Sequence, residues 1–373
     1  MSVFLHAIPA WLELVSLACC IGVLACTLWV VGPARGDALS GDERLLAGMW
    51  QLLGISAAVL FTSSILGLLV RSAEMSGYPI TGVLPVLPTV LLRTHLGHAW
   101  ILRMAAIIVL SVTFMAAGDP RHSRLFQGVM LGCAVVVAAT DSASGHASDA
   151  GDFSVAEIMD WLHLLAALVW GGGLLLLSSV ILPHLVKQGD RAARSMAGIA
   201  TRFSRIAGVG VGLIVLTASY QEWALGGSVD GLVRSPYGRT IIAKIVLFSL
   251  LLLLGAFNRY IGVPRLQEWA CSANTSQGAP GRLVAPARLP LALDARWPPA
   301  AARFTRAVKL EAFLMVALLL CAALLRHEVP ARDAAHLEHH ALGRSAGVAV
   351  AHGDDPSWRE PTTPPLPALG NTR

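Results

Sequence analysis

Asp160 and His163 stand three residues apart in "DWLHLLAALVWGGG" (160–173), inside an otherwise apolar run. On a helix that spacing puts both side chains on one face, a single turn apart. An ionisable group surrounded by hydrocarbon is costly and is kept where it has a partner or a task. Imidazole is a ligand for copper, zinc and nickel, and thioethers and thiolates select Cu(I), so Met159 joins the pair as a candidate. The same pattern has an echo: "AWLEL" at 10–14 matches "DWLHL" at 160–164, which places Glu13 at the position equivalent to His163.

Other histidines add to this set. His95 and His98 share a helical face in "THLGHAWILR", and His146 lies with Asp141, Asp149 and Asp152 in a loop that would attract cations. The candidate metal ligands are therefore His163, Asp160, Glu13, His98, His95, His146 and Met159. Each has a plainer alternative. His163 could be a packed histidine bonded to a neighbouring helix. His95 and His98 could snorkel at an interface beside Arg93, and His146 could be a solvated loop residue. Cys19, Cys20 and Cys26 read as small residues packing helices, with a Cu(I) relay as the alternative.

The elements that would position these groups are membrane helices. The chain is 55% apolar and 14% charged, with a mean hydropathy of +0.64, too little charge to cover a soluble domain of 373 residues. Eight runs are long enough to cross a bilayer, at about 8–31, 45–70, 99–117, 125–140, 155–182, 206–225, 240–257 and 305–325. The first is too long for a signal-peptide core and lacks a basic segment before it, so it reads as a retained helix.

Lys and Arg concentrate in alternate loops. Loops 32–44, 118–124, 183–205 and 258–304 hold fifteen, against four in 1–7, 71–98, 141–154 and 226–239 on the opposite side; the five Arg of the tail follow the last span and weigh less. Positive charge stays cytoplasmic, which predicts both termini in the periplasm of a bacterium. This distribution accounts for the net charge of +5 without nucleic acid. Six cysteines without CxxC spacing argue against a disulfide framework or a zinc knuckle.

The echo extends along the chain. The helices after "AWLEL" and "DWLHL" end in Pro33 and Pro183, and "THLGHAWILR" (94–103) aligns with "SPYGRTIIAK" (235–244), pairing Gly97 with Gly238 and Arg103 with Lys244. The fold predicted is an all-α polytopic membrane protein of two parallel four-helix halves, 1–140 and 141–325, with a disordered His- and Pro-containing tail at 326–373. In it Glu13 would neutralise Arg103 and Asp160 would neutralise Lys244. His163 would be left to bind something, sharing one polar site with Glu13 across a pseudo-twofold axis.

The segments "DWLHLLAALVWGGGL", "RFSRIAG" (202–208), "SPYGRTIIAKIVLFSLLLLLGAFNRYIGVPRL" (235–266) and "FTRAVKLEAFLMV" (304–316) together resemble the copper resistance protein D family of bacterial inner-membrane proteins. The resemblance is close over about 155–330 and looser over 1–140. It implies copper as the transported or bound ion, usually moved from periplasm toward cytoplasm, and a separate periplasmic partner of the CopC type. It carries over to Asp160, His163, Trp170, Arg202, Tyr237, Gly238, Arg239, Lys244, Asn258, Arg259, Pro264 and Glu311, without saying which of them bind metal. The insert at 271–303 lengthens a loop that the family would keep short.

No GxxxxGK[ST] loop occurs, so ATP-driven pumping within this chain is unsupported. The expected function is copper transport rather than enzymatic catalysis. One alternative is a haem-bearing electron-transfer bundle with His98 and His163 as axial ligands; another is a copper sensor or docking scaffold that transports nothing.

Overall fold

The computed structural model describes residues 3–31, 42–118, 124–145, 151, 153–188, 192–225, 236–277 and 299–326. These are helical throughout, with no strand among them. The helices are α1 (Val3–Cys26), α2 (Glu43–Ser76), α3 (Leu87–Arg93), α4 (His95–Ala117), α5 (Arg124–Ser142), α6 (Val155–Leu176), α7 (Leu182–Gln188), α8 (Ala193–Leu225), α9 (Pro236–Phe257), α10 (Val263–Gln277) and α11 (Pro299–Leu325). Eight segments are long and apolar enough to span a membrane, and they coincide with the eight predicted from the sequence.

Local chemistry fixes several helix starts and stops. Asp42 caps α2 through the Leu45 N–H, and Gly77 ends that helix in the left-handed region (φ 72°), its N–H bonded to Ala73 O. Thr94 caps α4 through the Gly97 N–H. Ser154 accepts from the Glu157 N–H while Glu157 reaches back to the Phe153 N–H, a reciprocal cap that sets the start of α6.

Three helices carry a single π-helical turn, at Thr27–Val31, Leu177–Ile181 and Asn258–Gly262. In each case a proline follows two residues later: Pro33, Pro183 and Pro264. A helical proline has no N–H and its ring presses on the carbonyl four residues back, which favours a wider turn. The wider bonds are present: the Leu182 N–H reaches Leu177 O, and the Val263 N–H reaches Asn258 O. Past these turns two helices run on. Residues 183–188 and 263–277, expected as loop, are helical, as are 193–205 at the start of α8. Most of the 271–303 insert lies outside the described residues.

The packing centre is the crossing of α1 and α6. A Cβ placed on Gly22 would lie 2.1 Å from Gly172 C, and one on Gly172 would lie 1.7 Å from Ala18 O. Both contacts are to backbone, which cannot move aside, so the crossing requires glycine. The neighbours of Gly172 serve other helices: Gly173 receives the Phe203 ring from α8 and Gly171 receives Met315 from α11. The triple glycine thus lets three helices approach α6 at successive residues.

Side-chain bonds show which helix ends lie together. Groups from the starts of α1, α4 and α6 meet groups from the ends of α2, α5 and α8. At the opposite end, Asp42 before α2 meets His184 and Gln188 of α7, and Arg202 of α8 donates to Val30 O. The bundle is therefore up-and-down, with one polar centre near each end.

Candidate functional site

The first polar centre is built around two buried arginine–carboxylate contacts. Arg103 Nη1 donates to Glu13 Oε1 at 2.9 Å, and its Nη2 lies 3.4 Å from Asp141 Oδ1. The same guanidinium reaches Thr140, through Nε to Oγ1 at 3.2 Å and through Nη2 to the carbonyl at 3.0 Å. Arg326 closes a two-pronged fork on Asp141. Glu13 also accepts from Ser64 Oγ at 2.8 Å. Glu13, Arg103 and Asp141 are 5%, 8% and 6% exposed, so these charges are stable only because each is paired.

Beside this cluster lies the Asp160–His163 face of α6. Asp160 accepts from Ser142 Oγ at 2.7 Å and from Gln221 Nε2 at 3.3 Å. His163 Nδ1 is 3.0 Å from Thr217 Oγ1. Thr217 and the Ile214 backbone of α8 together fix the ring against that helix. Lys244 lies within electrostatic range of the ring.

Glu13 and His163 sit in equivalent surroundings. Glu13 is met on α2 by Ser64 and Gly67. His163 is met on α8 by Ile214 and Thr217, each 150 positions further along the chain. Arg103 bonds to the first, and Lys244, its counterpart in the alignment of 94–103 with 235–244, lies within electrostatic range of the second.

Two expectations need correction. No ion pair joins Asp160 to Lys244 among the described residues; Asp160 takes neutral donors instead. The bonding partners of the Glu13 carboxylate are Arg103 and Ser64. Asp141, expected in an acidic loop, lies in the last turn of α5, and Arg326, expected to open the tail, holds it there.

The remaining candidates stand apart. His95 and His98 are exposed on the first turn of α4, outside the polar centre. Met159 is half-buried next to Asp160. His146 lies outside the described residues. No group of three or more His, Cys, Asp or Glu side chains converges in a metal-binding arrangement among the described residues. Arg326, Thr140, Ser142, Thr217 and Gln221 are polar partners outside the candidate set, and Asp141 entered it only as part of a cation-attracting loop; each ends an apolar run or lies in its last turns.

Two family profiles match the chain. The N-terminal domain of copper resistance protein D-like proteins matches residues 1–155, and copper resistance protein D matches residues 197–325. The chain belongs to the copper resistance protein D family. Among proteins similar to it, copper resistance protein D of Pseudomonas syringae pv. tomato is 28% identical over 226 residues, covering 58% of this chain and 70% of that protein. Copper transport protein CutJ of Bacillus subtilis (strain 168) is 29% identical over 200 residues, covering 48% of this chain and 35% of CutJ. No solved structure matches. Within the copper resistance protein D family, the two profiles fall on either side of the α6–α7 segment, whose Asp160 and His163 complete the polar centre.

Proposed function

We propose that this protein is an inner-membrane copper permease made of two parallel four-helix halves, which takes periplasmic copper at the Asp160–His163 face and passes it toward the cytoplasm. One observation carries the reading: a histidine oriented by Thr217 lies inside the membrane-spanning bundle, one turn from a carboxylate that has only neutral donors. No Lys or Arg side chain bonds that carboxylate among the described residues, whereas Glu13 is committed to Arg103. Copper is the cargo in this reading. His163 would offer Nε2 to it and Asp160 would balance its charge, with Met159 as the adjacent soft donor.

The names of the relatives, copper resistance protein D and copper transport protein, supply the metal. The excess of Lys and Arg in alternate loops supports a periplasmic location for the Asp160–His163 end and for both termini. A separate periplasmic copper-binding protein of the CopC type would deliver the ion, and surrounding lipid is the remaining partner. The decisive experiment is copper uptake into proteoliposomes, with metal analysis of the bound ion, for wild type and His163→Ala. Wild-type uptake by the variant would remove His163 from the mechanism. A reporter fused after Arg373 tests the orientation, and cytoplasmic activity of the fusion would reverse the direction proposed here.

The haem reading requires a second histidine opposite His163. His98 is exposed on the first turn of α4, which disfavours it. A Soret band in the purified protein would restore it.

A further inference from the structure

The second polar centre contains one buried carboxylate whose chemistry differs from all the others. Glu311, on α11, is 4% exposed, and its bonding partner is the side-chain amide of Asn258, whose Nδ2 donates to Oε1 at 2.6 Å. No cation pairs with it among the described residues. Elsewhere in the bundle Glu13 and Asp141 have arginines. A lone ionised carboxylate with one neutral partner is costly at membrane depth, and a carboxyl in that position lowers the cost by binding a proton.

Asn258 is suited to follow that change. It is 6% exposed, it belongs to the π-helical turn before Pro264, and its Oδ1 is buried without a hydrogen-bond partner. An ionised Glu311 only accepts and so takes Nδ2; a protonated Glu311 donates and would take Oδ1 after the amide turns over. Gly262 leaves room for this, since a Cβ there would stand 3.1 Å from Asn258 Oδ1. A cavity of about 20 Å³ adjoins the amide, bounded by Gly262 and Phe304 and rimmed by the exposed Arg265 and Arg303. That volume accommodates about one water, enough to carry a proton between the amide and the surface.

The other ionisable groups on elements packed against α11 are engaged or distant. Arg259 donates to Ser204 O, while Glu268, Arg306 and Lys309 are exposed. On α1 the thiols of Cys20 and Cys26 are buried on the way to this end, and Glu13 lies at the other; on α6 and α9, Asp160, His163 and Lys244 also belong to the first centre. His184 of α7 is bonded to Asp42.

We propose that Glu311 and Asn258 form a proton-binding site, open through the Arg265–Arg303 rim, that takes up and releases a proton as a cation crosses the bundle. The step is Glu311 carboxylate plus a proton from bulk water giving the carboxylic acid, with no other bond made or broken. The coupling to cargo rests on the permease reading; the proton site itself does not.

Infrared difference spectroscopy of the full-length protein in lipid, titrated with acid and exchanged into heavy water, tests it. A protonated-carboxyl C=O band should appear on acidification, shift on deuteration and vanish in Glu311→Gln. In Asn258→Ala the same band should move to higher frequency, because the acid has lost its amide acceptor. Absence of any carboxyl band removed by Glu311→Gln would overturn the proposal, and an unmoved band in Asn258→Ala would remove the amide from it. Copper uptake by the same preparations separates the two readings. The band without uptake would sink the permease and keep the proton site, whereas uptake without the band would do the reverse.

Discussion

Arg103 Nη1 stands 2.9 Å from Glu13 Oε1, joining α4 to α1 in a buried ion pair 90 residues apart in sequence. Removing Arg103 leaves the buried Glu13 carboxylate with Ser64 alone, which is expected to cost about 3–5 kcal/mol, whereas removing Glu13 leaves Arg103 its contacts with Asp141 and Thr140 and should cost less. Arg103→Gln should therefore destabilise the bundle more than Glu13→Gln, and the double variant should recover much of the Arg103→Gln loss. Unfolding in detergent for the wild type, both singles and the double checks this. Additive losses would mean that Arg103 is held chiefly by Thr140 and Asp141.

In the permease reading, Thr217 supports the His163 ring through the 3.0 Å contact to Nδ1 and would not itself meet the ion. Removing such a supporting bond typically lowers metal affinity by about 10–100-fold. Thr217→Val is expected to weaken copper binding in that range while leaving the fold intact, and Thr217→Ser should restore most of it. Calorimetry at a fixed copper oxidation state measures both.

The two glycine neighbours predict a graded response. In Gly172→Ala the new methyl meets the Ala18 carbonyl, which cannot yield, whereas in Gly171→Ala it meets the flexible end of Met315. Overpacking usually costs about 1–3 kcal/mol. Gly171→Ala should fall within that range and Gly172→Ala above it, with loss of folded protein. Thermal midpoints and folded yield from the membrane fraction give the comparison; equal effects would show that the α1–α6 crossing can relax.

Asp42 provides a pH test outside the spanning segments. Burial raises its pKa, but the bonds from His184, the Leu45 N–H and Gln188 outweigh burial and hold it below the ordinary carboxylate value. A depressed folded-state pKa contributes stability above the unfolded value of about 4, which is lost as pH falls through the folded one. Asp42→Asn should therefore be less stable than wild type near neutral pH, and the difference should close on acidification below that value. A gap that stays constant down to the lowest pH would assign the effect of Asp42 to its helix cap alone.

The spans were legible in the sequence because each is a continuous apolar run. Trp-Leu and the Pro ends recur at the same 150-residue offset that separates the Ser64 and Gly67 neighbours of Glu13 from the Ile214 and Thr217 neighbours of His163. Arg103 was matched to Glu13 correctly from alignment alone. What the sequence hid was partner choice. Asp141 and Arg326 flank apolar runs, where the sequence offers no sign of whether a charge turns inward or out, and the fork between them depends on the bundle closing. Ser64, Thr140 and Thr217 were invisible for a related reason: hydroxyls in membrane helices commonly bond back to a carbonyl one turn earlier, as Thr140 and Thr217 do, and only the neighbouring helix reveals a further task. The helical extensions at 183–188 and 263–277 were missed because proline was read as a stop, when a π-helical turn lets the helix continue past it.

The contact between Gly22 and Gly172 has a consequence for traffic. Backbones that touch leave no lane between α1 and α6, so anything crossing the bundle must pass on one side of that seam or the other. The two sides are not alike. On the second, His163 lies toward one end and Glu311 with Asn258 toward the other. On the first, Glu13 is locked to Arg103, and Ala117 stands where the alignment puts the counterpart of Asn258. In the permease reading, cargo would thus move in single file along the second side, with the first side as its wall.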